Sequence, residues 1–217
     1  MTKLKVAVLI SGRGSNLQAL IDAMQDPAYP AEIVAVISNK GDAYGLERAR
    51  RAGIQTFFID HRNFAGREPF DEALHETLVS VGAEFICLAG FMRIITADFA
   101  HKWHGKMINI HPSLLPSFKG LNAQEQALKA GVKLSGCTVH YVTPEMDSGP
   151  IIVQAAVPVY GNDMVEDLER RILALEHRSY PLALKLIASG KVKLEDERVI
   201  IEGNSLPGEY VINPVES

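Results

Sequence analysis

Val6-Ala7-Val8-Leu9-Ile10-Ser11-Gly12-Arg13-Gly14-Ser15-Asn16 passes from an unbroken apolar run into a glycine loop and then into a helical pattern, Asn16–Gln25. An apolar run without polar alternation reads as a strand buried on both faces, which is how strands of a parallel sheet look. Glycines let a backbone approach a ligand closely, and a helix start presents unpaired N–H groups. Together they form an anion site. The third glycine that a dinucleotide fingerprint needs is replaced by Leu17, and the chain has no Gly-Lys-Ser/Thr tripeptide for a triphosphate loop. The loop therefore reads as a small phosphate cradle, with a ligand-free tight turn as its other reading.

The same rhythm continues along the chain. Ile33–Ser38, Thr56–Ile59, Phe85–Ala89 and Met107–Ile110 read as further buried strands, and Ala43–Ala52, Glu68–Val81 and Thr96–Lys102 as the helices between them. Gly53 and Gly82 stand where helix-terminating glycines are expected. This alternation predicts an α/β fold, a Rossmann-like open sheet, mostly parallel, with helices on both faces. Beyond His111 the rhythm changes. A loop leads to a helix over Ala123–Ala130, and Ser135–Val142 and Ile151–Val157 read as strands. The gap between them is too short for a parallel crossover, so they are expected to form an antiparallel C-terminal part. Met164–Ile187 is the longest helical pattern, and Pro181 inside it is expected to kink or split it. The tail, 191–217, is expected to hold a strand or two and a frayed end.

Composition sets the outer limits. The chain has 217 residues, 47% hydrophobic and 22% charged, enough to build a core without covalent staples. A net charge of −4 and a pI near 6.0 argue against broad nucleic-acid binding. Cys87 and Cys137 each lie in an apolar run and read as buried, reduced thiols. No cluster has zinc spacing, so no metal is expected. No apolar stretch is long enough to span a bilayer, and a cytoplasmic location is the expectation.

Asn109-Ile110-His111-Pro112 ends the fifth strand. Side chains alternate along a strand, so Asn109 and His111 share a face, and Pro112 helps stop the strand there. A strand end is where open α/β sheets bind ligands. An amide donor beside a titratable imidazole suits stabilisation of a developing oxyanion. Asp147, on the turn Glu145-Met146-Asp147-Ser148-Gly149-Pro150, reaches His111 if that turn folds over the strand end, and would then favour the cationic imidazole. Thr138 and His140 share a strand face and are candidates to line the site. Each of these residues alone also has an ordinary structural reading. No Gly-x-Ser-x-Gly elbow is present and neither cysteine has an activating neighbour, which favours direct acyl transfer to an amine over a protein nucleophile.

Taken in order, Ile10-Ser11-Gly12-Arg13-Gly14-Ser15-Asn16-Leu17, Leu88-Ala89-Gly90-Phe91-Met92-Arg93-Ile94, Asn109 to Pro116, Thr138-Val139-His140, Met146 to Pro150 and Glu176-His177 resemble the folate-dependent phosphoribosylglycinamide formyltransferases, within the wider formyltransferase superfamily. The resemblance covers nearly the whole chain. It implies formyl transfer from 10-formyltetrahydrofolate, as co-substrate and without a metal, to the primary amine of glycinamide ribonucleotide in purine biosynthesis. It implies that Asn109 and His111 stabilise the oxyanion and that Asp147 raises the His111 pKa. Gly14, Ser15 and Asn16 would hold the substrate phosphate, with Glu176 on the same substrate. Arg67, Met92, Arg93, Ile94 and Ile95, with Asn109, would bind folate, and the loop Val142–Ser148 would close on the pterin. The chain is then one catalytic domain over 1–217: a phosphate-binding half to about 105, a catalytic and folate-loop half to about 190, and the tail. It would act on small molecules, with neither nucleic acid nor membrane as partner, as a monomer or homodimer. Lys119, Asn122 and Gln124 depart from the family pattern and bear on loop shape or affinity. The rivals are a formyltetrahydrofolate hydrolase, in which water replaces the amine, and a non-catalytic phosphosugar-binding module.

Overall fold

In the computed structural model, which describes residues 2–203, seven strands form one sheet: β1 (Leu4–Ile10), β2 (Ala31–Ser38), β3 (Thr56–Phe58), β4 (Phe85–Leu88), β5 (Met107–His111), β6 (Leu134–Tyr141) and β7 (Ile151–Pro158). Their spatial order is β3-β2-β1-β4-β5-β6-β7. The pairings through β5 are parallel, and β6 runs antiparallel to both β5 and β7. The apolar run of β1 occupies the middle, where each strand face must be covered.

Six α-helices among the described residues supply that cover: α1 (Ser15–Ala23), α2 (Tyr44–Arg51), α3 (Arg67–Ser80), α4 (Ala97–Lys102), α5 (Ala123–Ala130) and α6 (Val165–Ala188). Alternate residues of β1 belong to different cores. Val6, Val8 and Ile10 pack with Leu17 and Leu20 of α1, Leu46 of α2 and Leu184 of α6. Ala7 and Leu9 pack with Phe70 and Leu74 of α3 and Phe99 of α4. Period-two alternation on the central strand thus feeds two helical layers. A third cluster holds α5 and the start of α6 against β6 and β7 through Ala127, Cys137, Val157, Leu168 and Ile172.

β1 has β2 on one side and β4 on the other, so the order of connection reverses between β1 and β4. The crevice outside the carboxyl ends at such a reversal is the ligand site of an open α/β sheet. Here it gathers the glycine loop after β1, the segment after β4 and the end of β5.

Two outcomes refine the sequence reading. α6 is one unbroken helix with Pro181 inside it, so the expected split does not occur. Tertiary anchors flank the proline: the Tyr180 hydroxyl donates to Leu88 O at 2.8 Å and Ile108 O at 3.2 Å, and the Tyr29 hydroxyl donates to Pro181 O at 2.7 Å. With Leu168, Ile172, Ala183 and Leu184 buried on the same helix, this packing outweighs the roughly 3 kcal/mol that an interior proline costs. The tail forms a hairpin of β8 (Val192–Glu195) and β9 (Arg198–Ile201). The expected frayed end, at 204–217, lies outside the described residues. Among the described residues no helix is long and apolar enough to cross a membrane.

Candidate active site

β5 and β6 bring the candidate side chains into register. Asn109 lies opposite His140, and His111 opposite Thr138. Directly opposed residues of an antiparallel pair project to the same face, so the four form one patch. The turn between β6 and β7 folds over this patch and delivers Asp147. Its Oδ2 lies 3.4 Å from His111 Nδ1 and accepts the Gly120 N–H at 2.9 Å, while Oδ1 lies 3.8 Å from His140 Nε2. The side chains of His111, His140 and Asp147 are only 7%, 3% and 10% exposed. Asp147 has φ 49°, in the left-handed region that aspartate tolerates better than most residues. On its other side His111 Nε2–H donates to Phe118 O at 2.9 Å. Both ring nitrogens thus face oxygen acceptors, and both are satisfied when the ring is a double donor.

His140 has the opposite character. Burial pulls its pKa below the ordinary histidine value, against the upward pull of the Tyr141 carbonyl and Asp147. Its Nδ1–H donates to Tyr141 O at 2.8 Å, which leaves the Nε2 lone pair toward Asn109 Nδ2, 3.4 Å away. A neutral imidazole of fixed tautomer therefore orients the Asn109 amide. Thr138 does not line an open site. Its fully buried hydroxyl donates to Ser113 O at 2.7 Å and accepts from Leu115 N–H and Gln154 Nε2, each at 3.0 Å. Those bonds anchor the loop that follows β5.

The glycine loop lies against the start of α2. Gly14 has φ 70°, and a Cβ there would sit 2.7 Å from Gly45 Cα. Gly45 N–H donates to Gly12 O at 3.0 Å, and Arg48 Nε–H donates to Arg13 O at 3.0 Å. The loop is thus held in shape from behind while the first turn of α1 faces the crevice. Asn16 Nδ2 donates to Glu176 Oε2 at 2.7 Å, joining α1 to α6, and Asn16 Oδ1 is buried with no partner among the described residues. Burial raises the Glu176 pKa, opposed by the Asn16 hydrogen bond and by the charge of His111. The Asn16–Glu176 pair therefore lies within electrostatic reach of His111.

Comparison with known proteins bears on this arrangement. The formyl transferase family model matches residues 4–184. The chain belongs to the formyl transferase family. This formyl transferase is 44% identical to a phosphoribosylglycinamide formyltransferase of Haemophilus influenzae over 94% of its own length and 96% of the relative's. It is 55% identical to the trifunctional purine biosynthetic protein adenosine-3 of Bos taurus over 88% of its length, and it spans only 19% of that larger protein. A crystal structure of glycinamide ribonucleotide transformylase 1 from Symbiobacterium toebii matches with TM-score 0.89 and 51% identity, covering 92% of this chain and 94% of that one.

The residues after β4 in this formyl transferase separate into two sets. Met92 and Ile94 stand 63% and 65% exposed beside the crevice. Ile95 turns back toward the core of Leu88 and Phe99, and the Arg93 guanidinium lies 5.9 Å from the Phe70 ring centroid. Arg67 opens α3 and is exposed. Sequence reasoning missed several groups that shape the site. Ser11, Asp71 and Arg48 act on backbone atoms of distant segments, and such bonds leave no periodic trace. Lys119 enters the sequence reading only as a departure from the family pattern. Its Nζ donates to Ser148 Oγ at 2.5 Å, bridging the two loops that enclose Asp147.

Proposed function

We propose that this formyl transferase moves the formyl group of 10-formyltetrahydrofolate to the primary amine of phosphoribosylglycinamide, releasing tetrahydrofolate, as a step of purine biosynthesis. The observation that carries the reading is the meeting of Asn109, His111 and Asp147 at the end of β5, on the sheet edge that also holds the glycine loop opening α1. The high identity to a phosphoribosylglycinamide formyltransferase over nearly all of both chains supports the choice of acceptor.

The steps follow from the groups present. The substrate phosphate binds at Gly14, Ser15 and Asn16, where the first turn of α1 offers N–H donors. Glu176 holds another part of the same molecule. The amine attacks the formyl carbon, and the new C–N bond leaves the formyl oxygen as an oxyanion. Asn109 Nδ2–H and the protonated His111 stabilise that charge in a buried, pre-organised setting. To meet it, His111 Nε2–H must share or give up its bond to Phe118 O. The bond from carbon to folate N10 then breaks. The attacking nitrogen loses a proton and N10 gains one, with Asp147 and His111 as the relay. Met92 and Ile94 form an apolar wall for the folate, assisted by Arg67, Arg93 and Ile95.

The test is a spectrophotometric assay with 10-formyltetrahydrofolate, with and without the ribonucleotide. Tetrahydrofolate produced only with the ribonucleotide, in step with formylated ribonucleotide, is the expected result. Equal production without it would mean hydrolysis and would refute the proposal.

A further inference from the structure

The apolar wall beside the crevice has no regular structure of its own: residues 91–96 are neither helix nor strand. Met92 and Ile94 face outward, so burial contributes little to aiming them. The segment must therefore be held through its backbone. One amide at each end is bound by a buried side chain from a distant element. Met92 N–H donates to Ser11 Oγ at 2.7 Å, and Thr96 N–H donates to Asp71 Oδ2 at 2.6 Å. Ser11 and Asp71 are both among the buried polar residues. Ser11 Oγ–H in turn donates to Asn39 Oδ1 at 2.5 Å, and Asn39 is buried at the end of β2. The hydroxyl hydrogen is thereby committed to Asn39, and a lone pair is left aimed at Met92. Ser11 N–H also donates to Gly90 O at 3.0 Å, just upstream of the wall.

We propose that Ser11 and Asp71 are positioning residues for the folate co-substrate, clamping the two ends of the 92–96 wall. The inference rests on the proposed formyl-transfer reading. It goes beyond it by assigning co-substrate affinity to two residues that do not touch the reacting atoms. Ser11 also begins the phosphate loop, so the walls for the two substrates share one anchor. Asp71 lies on α3, beside the Phe70 ring that carries Arg93, so the far clamp is built on the opposite layer from α1.

The experiment compares Asp71→Ala, Asp71→Asn and Ser11→Ala. Losing one buried hydrogen bond to the wall is expected to raise the KM for 10-formyltetrahydrofolate about tenfold in Asp71→Ala and Ser11→Ala. For Asp71→Ala, kcat and the ribonucleotide KM should stay within about threefold of wild type. Asp71→Asn retains an oxygen acceptor and should restore the folate KM, which a purely electrostatic role would not allow. Folate KM within about twofold of wild type in both alanine variants would overturn the proposal. Should the variants not fold, hydrogen exchange of the wild-type protein decides. Slow exchange of the Met92 and Thr96 amides upholds the clamp, and exchange at the rate of open loop amides overturns it. If wild type neither binds nor uses 10-formyltetrahydrofolate, the functional reading fails instead, and the exchange data still report on the clamp.

Discussion

Asp147→Asn keeps the side-chain shape and removes only the charge. The carboxylate lies 3.4 Å from His111 Nδ1 while holding the Gly120 N–H at 2.9 Å. At that separation, with an effective dielectric near 20, carboxylate and imidazolium attract by about 5 kcal/mol before desolvation is counted. Both groups are nearly excluded from water, so part of this is offset, and removing one partner of such a pair generally costs about 2–5 kcal/mol. If about 3–4 kcal/mol is lost from the transition state, where His111 must face a developing oxyanion, kcat falls roughly 10²–10³-fold. The glycine loop proposed to hold the phosphate is untouched, so the ribonucleotide KM should change by less than about threefold. Initial rates of tetrahydrofolate release with both substrates saturating measure the effect. A kcat within about fivefold of wild type would refute the assignment of Asp147 as electrostatic partner of His111.

Three further substitutions have expected outcomes. His140→Ala removes the acceptor that orients Asn109, and kcat should fall about tenfold with both KM values nearly unchanged; steady-state kinetics with an unaltered kcat would transfer that role elsewhere. Burial depresses the folded His140 pKa, so its contribution to stability is complete above about pH 6.5 and is lost as pH falls through the lower folded value. Calorimetric melting between neutral and mildly acid pH should therefore show a flatter acid limb in His140→Ala than in wild type. Burial raises the folded Glu176 pKa, so the folded protein carries a charge penalty that is absent below the unfolded carboxylate pKa and appears as pH rises through the folded one. Glu176→Gln should melt higher than wild type at neutral pH, converge with it toward about pH 4, and bind the ribonucleotide less tightly; a lower melting point at neutral pH would contradict this. Gly45→Ala would press a Cβ into Ile10 Cδ1 and to 3.2 Å from Gly14 Cα. Overpacking of about 1–3 kcal/mol should displace the loop and raise the ribonucleotide KM about tenfold while sparing the folate KM, a split visible in two substrate titrations.

Much of this was legible in local pattern. The unbroken run at Val6–Ile10 reads as a strand buried on both faces, and its even and odd residues do feed two cores. The spacing of Asn109 and His111 placed them on one face because strand geometry has period two. The short gap before Ile151 required antiparallel pairing, which β6 and β7 show. Gly53 and Gly82 end their helices with φ of 72° and 68°. What stayed hidden depends on contacts between segments far apart in the chain. Nothing in residues 107–141 alone dictates that β6 pairs with β5 so that His140 meets Asn109. Pro181 argued for a broken helix, and only Tyr180 and Tyr29, fastened to other elements, explain why α6 continues. Thr138 shared the face that alternation gives it, but its hydroxyl answers to the Ser113–Leu115 backbone rather than to a ligand.

The bond from Asn16 to Glu176 spans 160 positions of sequence. A ribosome therefore releases the glycine loop long before the carboxylate that Asn16 binds. The strand bearing Asn109 and His111 likewise emerges ahead of its antiparallel neighbour, and ahead of the turn that carries Asp147. A nascent chain halted before α6 would own all seven strands and the Asp147 turn, yet it would lack Glu176 and the helix that covers α1. Contacts of such long range also slow folding relative to chain length. Competence for catalysis thus arrives late in synthesis, when the last long helix docks across the first.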